Sequence, residues 1–212
     1  MGLTLKRPAF FLDVQICTGC KTCMVACKDK NDLDSGIRWR RVVEYCGGQW
    51  VPLPGGTFRQ DVFGYYISVS CNHCADPICV EVCPTGAMNQ DDNCIVTVDQ
   101  TRCMGCRYCE WACPYGAPQY HSGSGRMSKC NLCRDELESG GMPACVAACP
   151  TRALSLGEFD ASRLELEGHK PTAPLPDDKF TSPNAIIKPH KMGKPINSTA
   201  GTIANPEENK DA

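Results

Sequence analysis

The sequence lacks any apolar run that approaches the ~20 residues needed to cross a membrane. Its N-terminal apolar patch, Ala9 to Leu12, is also too short for the core of a signal peptide, and a cysteine motif follows it directly. We therefore expect neither a direct membrane span nor an export signal of the chain's own.

Strong charge of one sign is also missing. The formal net charge is −2, and no basic stripe of the kind that binds nucleic acid is present. Leu, Ile and Phe are sparse, whereas 18 of the 212 residues are cysteine. That density indicates disulfides in a short secreted chain and metal ligation in a reducing compartment, and the cysteine spacing distinguishes the two.

Sixteen of the cysteines fall into four groups of four. The first, Cys17–Cys27, and the third, Cys103–Cys113, have the spacing C-x2-C-x2-C-x3-C of bacterial ferredoxins. The second, Cys71–Cys83, has two further residues in its middle gap, and the fourth, Cys130–Cys149, has nine. Proline follows the last cysteine of the second, third and fourth groups.

The spacing has a physical reason. Closely spaced thiolates line a tight loop around one corner of a cubane cluster, and the N–H groups of the loop point at the cluster sulfurs. We expect the fourth cysteine to begin the next helix, with the proline in the turn into that helix. Zinc would leave the third cysteine of each run unused, and disulfides cannot readily join so many cysteines three residues apart.

In two-cluster ferredoxins the fourth cysteine ligates the other cluster of the pair. The same rule predicts four [4Fe–4S] clusters here, each with three ligands from one group and one from another. The predicted sets are Cys17, Cys20, Cys23 and Cys149; Cys27, Cys130, Cys133 and Cys145; Cys71, Cys74, Cys79 and Cys113; and Cys83, Cys103, Cys106 and Cys109. At about −2 for each cluster, the loaded protein would carry about −10.

An internal repeat accompanies these groups. Apolar runs at 11–14 and 95–99 precede the first and third groups, Pro-Thr-x-Ala follows the second and fourth, and a strand at 62–69 is predicted to lead to Cys71. We predict an α+β fold of two interleaved bacterial-ferredoxin-like halves with pseudo-twofold symmetry, as in eight-iron ferredoxins. The predicted domains are an outer half at 1–27 and 121–156, an insertion at 28–70, an inner half at 71–120 and an extended, partner-binding tail at 157–212.

The tail has a different composition from the rest. No cysteine follows Cys149, and seven prolines from Pro171 onward exclude a long helix. Two alternatives are open. The tail is disordered, or it is an arm laid along a partner with Phe180, Ile186 and Ile187 as apolar anchors.

Several stretches carry a family resemblance. They are CTGCKTC at 17–23, SCNHC at 70–74, GCRYC at 105–109, ACPYGAPQY at 112–120, PLP at 174–176, IIKP at 186–189 and ANPEE at 204–208. With them the sequence resembles the iron–sulfur (electron-transfer, beta) subunits of anaerobic dimethyl sulfoxide reductase complexes, within the four-cluster, ferredoxin-like subunits of molybdopterin oxidoreductases. Related reductases share the cysteine motifs, whereas the tail is more particular.

The resemblance implies a heterotrimer. A membrane anchor would oxidise quinol, this subunit would relay electrons, and a molybdopterin catalytic subunit would reduce dimethyl sulfoxide or a related S- or N-oxide in anaerobic respiration. It implies no catalytic residue in this chain, and a peripheral location at the inner (cytoplasmic) membrane through the anchor. The alternatives are a freely diffusing polyferredoxin and a structural zinc module.

Other residues near the cysteines also have predicted roles. His73 is predicted to be a hydrogen-bonding or interface residue, and Tyr108 and Trp111 to keep water off a cluster. Cys46 and Cys94 lie outside every group and are predicted to be free, partly buried thiols. Two alternatives are open for the basic residues in or beside the cysteine runs. Some of them offset cluster charge and raise cluster potentials, or they are ordinary surface charges and form salt bridges with a partner: Lys21, Lys28, Arg102, Arg107, Lys129, Arg134 and Arg152.

Overall fold

The computed structural model describes residues 5–160 and 168–208, which form an α+β fold of short helices and small sheets. The α-helices are α1 (Thr22–Lys30), α2 (Ile78–Glu81), α3 (Tyr108–Ala112), α4 (Arg134–Glu138) and α5 (Ala144–Ala147). The strands are β1 (Pro8–Asp13), β2 (Arg41–Gly47), β3 (Trp50–Pro52), β4 (Phe58–Gln60), β5 (Phe63–Val69), β6 (Met88–Gln90), β7 (Val96–Val98), β8 (Gln119–His121), β9 (Arg126–Ser128), β10 (Leu154–Glu158), β11 (Ala185–Lys188) and β12 (Gly201–Ile203). Within the described ranges, no helix has the length and apolarity needed to cross a membrane.

Strand β1 is the centre of a three-stranded sheet. It pairs antiparallel with β10 and parallel with β11, so that Phe10 lies opposite Leu156 on one side and Ala185 on the other. Phe10 and Leu12 are buried in the main hydrophobic core. The predictions of a strand before the first cysteine group and of one before the third, which is β7, are confirmed.

A second sheet forms within the predicted insertion. Strand β2 pairs antiparallel with β5 on one side and with β12 of the tail on the other. Every second residue of β5 is buried, from Phe63 to Val69, as the period-two geometry of a strand requires. Strand β5 ends two residues before Cys71, which confirms the predicted strand at that position.

Two short hairpins support the second and third cysteine groups. Strand β6 pairs with β7, and β8 pairs with β9. Met88, Val96 and Met127 from these hairpins pack in one cluster with Cys79 and Cys109. The predicted boundary between residues 120 and 121 falls inside the β8–β9 hairpin, and the division into four domains stays a prediction.

The fourth cysteine does not begin a helix in any of the four groups: it follows a helix in three groups and lies within helix α1 in the first. Helices α2, α3 and α5 contain the third cysteine of their groups and end before Cys83, Cys113 and Cys149. The prediction that the fourth cysteine begins the next helix is therefore wrong. Proline disfavours helical backbone in the residue before it, and Cys113 is extended, with φ −77° and ψ 115°. In the first group, where Lys28 follows Cys27, helix α1 continues to Lys30.

The described part of the tail packs on the chain itself. Strand β11 extends the sheet of β1, and β12 extends that of β2, which contradicts the alternative of disorder for these residues. Ile186 is 1 % exposed, so the prediction that it anchors the tail on a partner is wrong, and Ile187 packs partly buried against the same core. Phe180 is 70 % exposed. Residues 161–167 and 209–212 of the predicted tail, and residues 1–4 of the predicted outer half, lie outside the described residues.

Candidate metal centres

Each cysteine group begins with the same backbone turn. The residue before the second cysteine is left-handed in all four groups; these residues are Gly19, His73, Gly105 and Leu132, with φ of 69°, 44°, 73° and 65°. The turn directs N–H groups toward the first sulfur. The N–H of His73 lies 3.5 Å from Cys71 Sγ, and that of Leu132 lies 3.4 Å from Cys130 Sγ. The chain therefore builds one loop four times, twice without glycine.

A second turn follows the last cysteine in three groups. The residue three positions after that cysteine is left-handed, at Gly86, Gly116 and Arg152. In the second group this turn brings the N–H of Met88 to 3.3 Å from Cys83 Sγ. Thr85 Oγ1 lies 3.7 Å from the same sulfur, and Thr151 Oγ1 lies 3.8 Å from Cys149 Sγ. The repeated Pro-Thr tails therefore place a hydroxyl beside the last sulfur of two groups.

The predicted inner sets line two cavities. One cavity is lined by Cys71, Cys74 and Cys79 of the second group together with Cys113 of the third. The other is lined by Cys83 of the second group together with three cysteines of the third group, Cys103, Cys106 and Cys109. The fold thus brings the fourth cysteine of each group to the other group's loop, and ligation by these residues stays a prediction.

The outer sets lie where helix α1 packs against helix α5. The thiol of Cys17 lies near Cys23, Cys149 and Cys20, and the thiol of Cys27 lies near Cys145, Cys133 and Cys23, so the two predicted outer sets adjoin each other. The division of these cysteines into two ligand sets stays a prediction. The exchange is again crosswise, because Cys27 of the first group lies among cysteines of the fourth.

Most of these thiols are too buried to ionise unaided. Burial is the largest cause. It raises the thiol pKa of Cys27, Cys74, Cys79 and Cys109 to about 12. Exposed Cys20 is different, because a hydrogen bond from the Thr22 hydroxyl, 3.4 Å away, lowers the pKa of its thiol. Bound positive charge would be needed to hold the buried thiols as thiolates at neutral pH.

The donor sets fit a polynuclear centre. Among the described residues, no three His, Cys, Asp or Glu side chains are close enough to hold one metal ion, yet four cysteines line each inner cavity. All 18 cysteines are free thiols. The buried hydroxyl of Thr181 lines the cavity beside Cys74, whose thiol pKa is raised by burial and lowered by this hydroxyl, and a cluster sulfide there would accept its hydrogen bond.

The protein is similar to known iron–sulfur proteins. Residues 62–159 match the 4Fe-4S dicluster domain family. Over 199 residues the protein is 49 % identical to the B subunit of the anaerobic dimethyl sulfoxide reductase of Escherichia coli (strain K12), covering 94 % of this chain and 97 % of that protein. The Haemophilus influenzae protein of the same name is 46 % identical over 204 residues, covering 96 % of this chain and all of that protein. This protein belongs to the family of anaerobic dimethyl sulfoxide reductase B subunits.

Membership of this family confirms the resemblance seen in the sequence. The chain is an iron–sulfur electron-transfer subunit of the dimethyl sulfoxide reductase type, and its 4Fe-4S domain supports iron–sulfur clusters as the cofactor. A more distant relative is the thiosulfate reductase electron transfer subunit PhsB of Salmonella typhi. It is 40 % identical over 154 residues, which cover 72 % of this chain and 77 % of that protein.

Most of the basic residues predicted near the clusters have protein partners. Lys21 pairs with Glu208 at 2.7 Å, Arg107 with Glu110 at 2.6 Å, and Arg134 with Glu138 at 2.8 Å. Three others donate to backbone carbonyl oxygens: Lys28, Arg102 and Arg152. These contacts within the chain favour the alternative of ordinary surface charge for the six residues.

Two buried cations do lie beside the cysteines. Lys129 is 4 % exposed, and its Nζ donates to the carbonyl oxygens of Val96 and Cys130. Arg40 is 2 % exposed and was not among the predicted site residues. Arg40 directly precedes β2, and the pairing of β2 with β5 brings it beside the cysteines. No rule of cysteine spacing predicts such a long-range contact.

The remaining predicted residues divide into confirmed and corrected ones. His73 is buried, and its Nδ1 accepts the N–H of Val96 at 3.0 Å, so its hydrogen-bonding role is confirmed. Tyr108 and Trp111 are 52 % and 73 % exposed and line neither inner cavity, so the prediction that they exclude water from a cluster is wrong for the chain by itself. Cys46 and Cys94 are free and partly buried, as predicted.

Proposed function

We propose that this chain is the non-catalytic electron relay of a heterotrimeric complex. Four [4Fe–4S] clusters in it connect a quinol-oxidising integral membrane anchor subunit with a molybdopterin catalytic subunit. The catalytic subunit reduces dimethyl sulfoxide or a related S- or N-oxide in anaerobic respiration. The chain is peripheral, bound at the inner (cytoplasmic) membrane through the anchor, and it binds no nucleic acid.

The observation that carries this proposal is that four cysteines line each inner cavity, three from one group and one from the other. A [4Fe–4S] cluster held by four thiolates supplies a centre that takes up and releases one electron. The cysteines of each set provide the thiolates, and the loop N–H groups donate to their sulfurs. Burial of most of these cysteines keeps water from the sites.

The sets adjoin one another in a row, which supports a relay. Cys23 of one outer set feels the charge of Cys145 in the other, and Cys130 of that set feels the charge of Cys71 in an inner set. Cys79 and Cys109 pack in one cluster and so join the two inner sets. Each centre in such a row would lie next to another centre.

Both ends of this row reach the surface. Cys20 in the first outer set is exposed, and Met104, which lines the cavity of the last inner set, is 66 % exposed. Electrons can therefore enter at one end and leave at the other, as a subunit between two partners requires. The relatives named as B subunits belong to reductases with further subunits, which supports the proposed heterotrimer.

Iron and acid-labile sulfide analysis of anaerobically purified protein tests the cofactor. We expect about sixteen of each per chain and broad absorption near 400 nm. Zinc in place of iron, or a sulfide content near zero, would contradict the proposal. Co-purification with a tagged chain tests the partners, because a freely diffusing polyferredoxin would elute as a monomer without a molybdenum-containing subunit.

A further inference from the structure

Arg40 is a buried cation held beside the outer cysteine sets. Its Nη1 donates to Ser68 Oγ at 3.0 Å, and its Nη2 donates to Ser70 Oγ at 2.9 Å. The guanidinium carbon lies 4.4 Å from the centroid of the Phe10 ring. Ser68 Oγ is in turn 3.4 Å from Cys23 Sγ, so one hydroxyl connects the guanidinium with a predicted ligand.

No carboxylate neutralises Arg40 among residues 5–160 and 168–208. Its hydrogen-bond partners there are hydroxyl groups, and its Nε makes no hydrogen bond within those ranges. A cation that is 2 % exposed is strongly destabilising unless a negative charge lies near it. A guanidinium cannot escape this cost by losing its proton, because it stays charged in proteins.

The negative charge available to Arg40 is that of the cysteines. Burial by itself would lower the pKa of Arg40, but the charges of Cys145, Cys130, Cys23 and Cys27 together raise it. Cys23 belongs to the first outer set and the other three belong to the second. As free thiols these cysteines would be largely neutral, whereas a thiolate-bound cubane carries about −2.

Resting on the four clusters proposed above, we propose that Arg40 is the shared internal counter-ion of the two outer clusters and raises their reduction potentials. The sign follows from charge, because a fixed cation stabilises the more negative, reduced form of a neighbouring cluster. The inner set of Cys83 and Cys109 serves as an internal reference, since Arg40 does not line the cavity that these cysteines share.

Redox-poised EPR on the assembled complex in membranes tests this role with three variants of Arg40. Arg40→Met and Arg40→Gln remove the charge, and Gln keeps a donor for the serines. Arg40→Lys keeps the charge but loses the two-pronged geometry. Arg59→Gln, on the exposed strand β4, is the matched control for the loss of one arginine.

We expect the two neutral variants to lower the potentials of two clusters while at least one other cluster keeps its potential. A tenfold fall in the reduced-to-oxidised ratio at fixed potential is the expected scale, which equals about 59 mV for a one-electron couple. Because Arg40 is buried beside the outer cysteine sets, salt should screen its charge little. The shift in reduction potential should therefore persist at high ionic strength. Arg40→Lys should retain most of the wild-type potentials.

Iron and sulfide content of the same samples separates the outcomes. Full clusters with unmoved potentials in both neutral variants would overturn the role of Arg40 and leave the proposed function intact. Loss of iron from the neutral variants, with retention in Arg40→Lys, supports the need for a charge at this position. Loss of iron from all three variants would show that the shape of arginine is required and would overturn the counter-ion role. Wild-type protein without iron and sulfide would contradict the proposed function itself.

Discussion

The side chain of Asn184 ties the tail to the second cysteine loop, because its Nδ2 donates to the carbonyl oxygen of His73 at 2.5 Å. Arg7 Nε donates to Asn184 Oδ1 at 2.6 Å, and the backbone N–H of Asn184 donates to the carbonyl oxygen of Asn72 at 3.1 Å. Asn184 and His73 are each 1 % exposed. The tail is therefore part of the wall behind Cys71 and Cys74, and water cannot readily replace its hydrogen bonds.

Replacing Asn184 should loosen that wall. We expect Asn184→Ala to lower the free energy of unfolding by about 1–3 kcal/mol, because it leaves the buried carbonyl of His73 and the partly buried guanidinium of Arg7 without their partner. Hydrogen exchange of the holo-protein, read by mass spectrometry, should accelerate in peptides that cover 72–76 and 181–184. Exposed Asn93→Ala is the control. Equal exchange in the two variants would show that the tail does not support this loop.

Crosswise ligation makes a prediction that sequential ligation does not. Cys113 lies in the third group, but its partners in the cavity are Cys71, Cys74 and Cys79 of the second. We therefore expect Cys113→Ser and Cys74→Ser to remove or alter the same EPR signal, and Cys106→Ser to affect a different one. Iron content should fall by about four per chain in any variant that loses a cluster.

A control for this series lies outside the four groups. Cys94→Ser changes a free, partly buried thiol and should leave every signal and the iron content unchanged. If Cys113→Ser instead reproduces the spectrum of Cys106→Ser, each group binds its own cluster and the crosswise assignment fails.

The spacing of the cysteines along the chain predicts most of the candidate metal centres, and this has a physical basis. A loop that wraps a cluster is formed by seven or so consecutive residues, so its sequence contains the turn and the ligands together. The structure brings Cys83 and Cys113 to the other group's loop, whereas the predicted place of the fourth cysteine at the start of a helix is wrong. The rule that proline disfavours helical backbone before it, applied to Cys113 and Pro114, would have given the helix end.

The remaining features depend on pairing between strands that are far apart in the sequence, which local sequence patterns do not predict. Strand β11 joins Ile186 to Phe11, 175 positions earlier in the chain, and this pairing buries a residue that was predicted to face a partner. Arg40 reaches the cysteines in the same way, through the register that sets Arg41 opposite Val69. Because neither residue has a cysteine motif beside it, the sequence patterns contain no sign of their positions.

A side chain at Gly105 would clash with the backbone beside the third cysteine loop. Its φ is +73°, and an added Cβ would lie 2.1 Å from the carbonyl oxygen of Gly125, a backbone atom that cannot move aside alone. Left-handed backbone costs a non-glycine residue about 1–3 kcal/mol. We expect Gly105→Ala to exceed that cost and to reduce cluster retention, measured by thermal melting and iron content under anaerobic conditions.

Gly55 provides the matched control for Gly105. It has φ +88°, but an added Cβ there meets nothing within 4 Å, so Gly55→Ala isolates the cost of the backbone conformation. The difference between the two variants then measures the clash. Similar melting temperatures would mean that the β8–β9 turn moves away freely and that the loop tolerates the extra atom.

Lys21 and Glu208 form an ion pair at 2.7 Å that closes the end of the described tail over the first cysteine loop. Glu208 is 7 % exposed at its side chain, so removing Lys21 leaves a nearly buried carboxylate without its cation. We expect Lys21→Met to lower the melting temperature of the holo-protein at pH 7, whereas Lys191→Met, at an exposed position, should not.

The pH dependence of that difference identifies the ion pair as its cause. The hydrogen bond to Glu208 raises the pKa of Lys21 above its ordinary value of 10.5, so the folded protein binds this proton more tightly than the unfolded chain does. The stabilisation is therefore fully present below pH 10.5 and is lost as the pH rises through the folded pKa. The gap in melting temperature between wild type and Lys21→Met should be constant from pH 6 to 9 and shrink above 10.5. A gap that stays constant through this alkaline range would assign the effect to packing of the lysine stem instead of its charge.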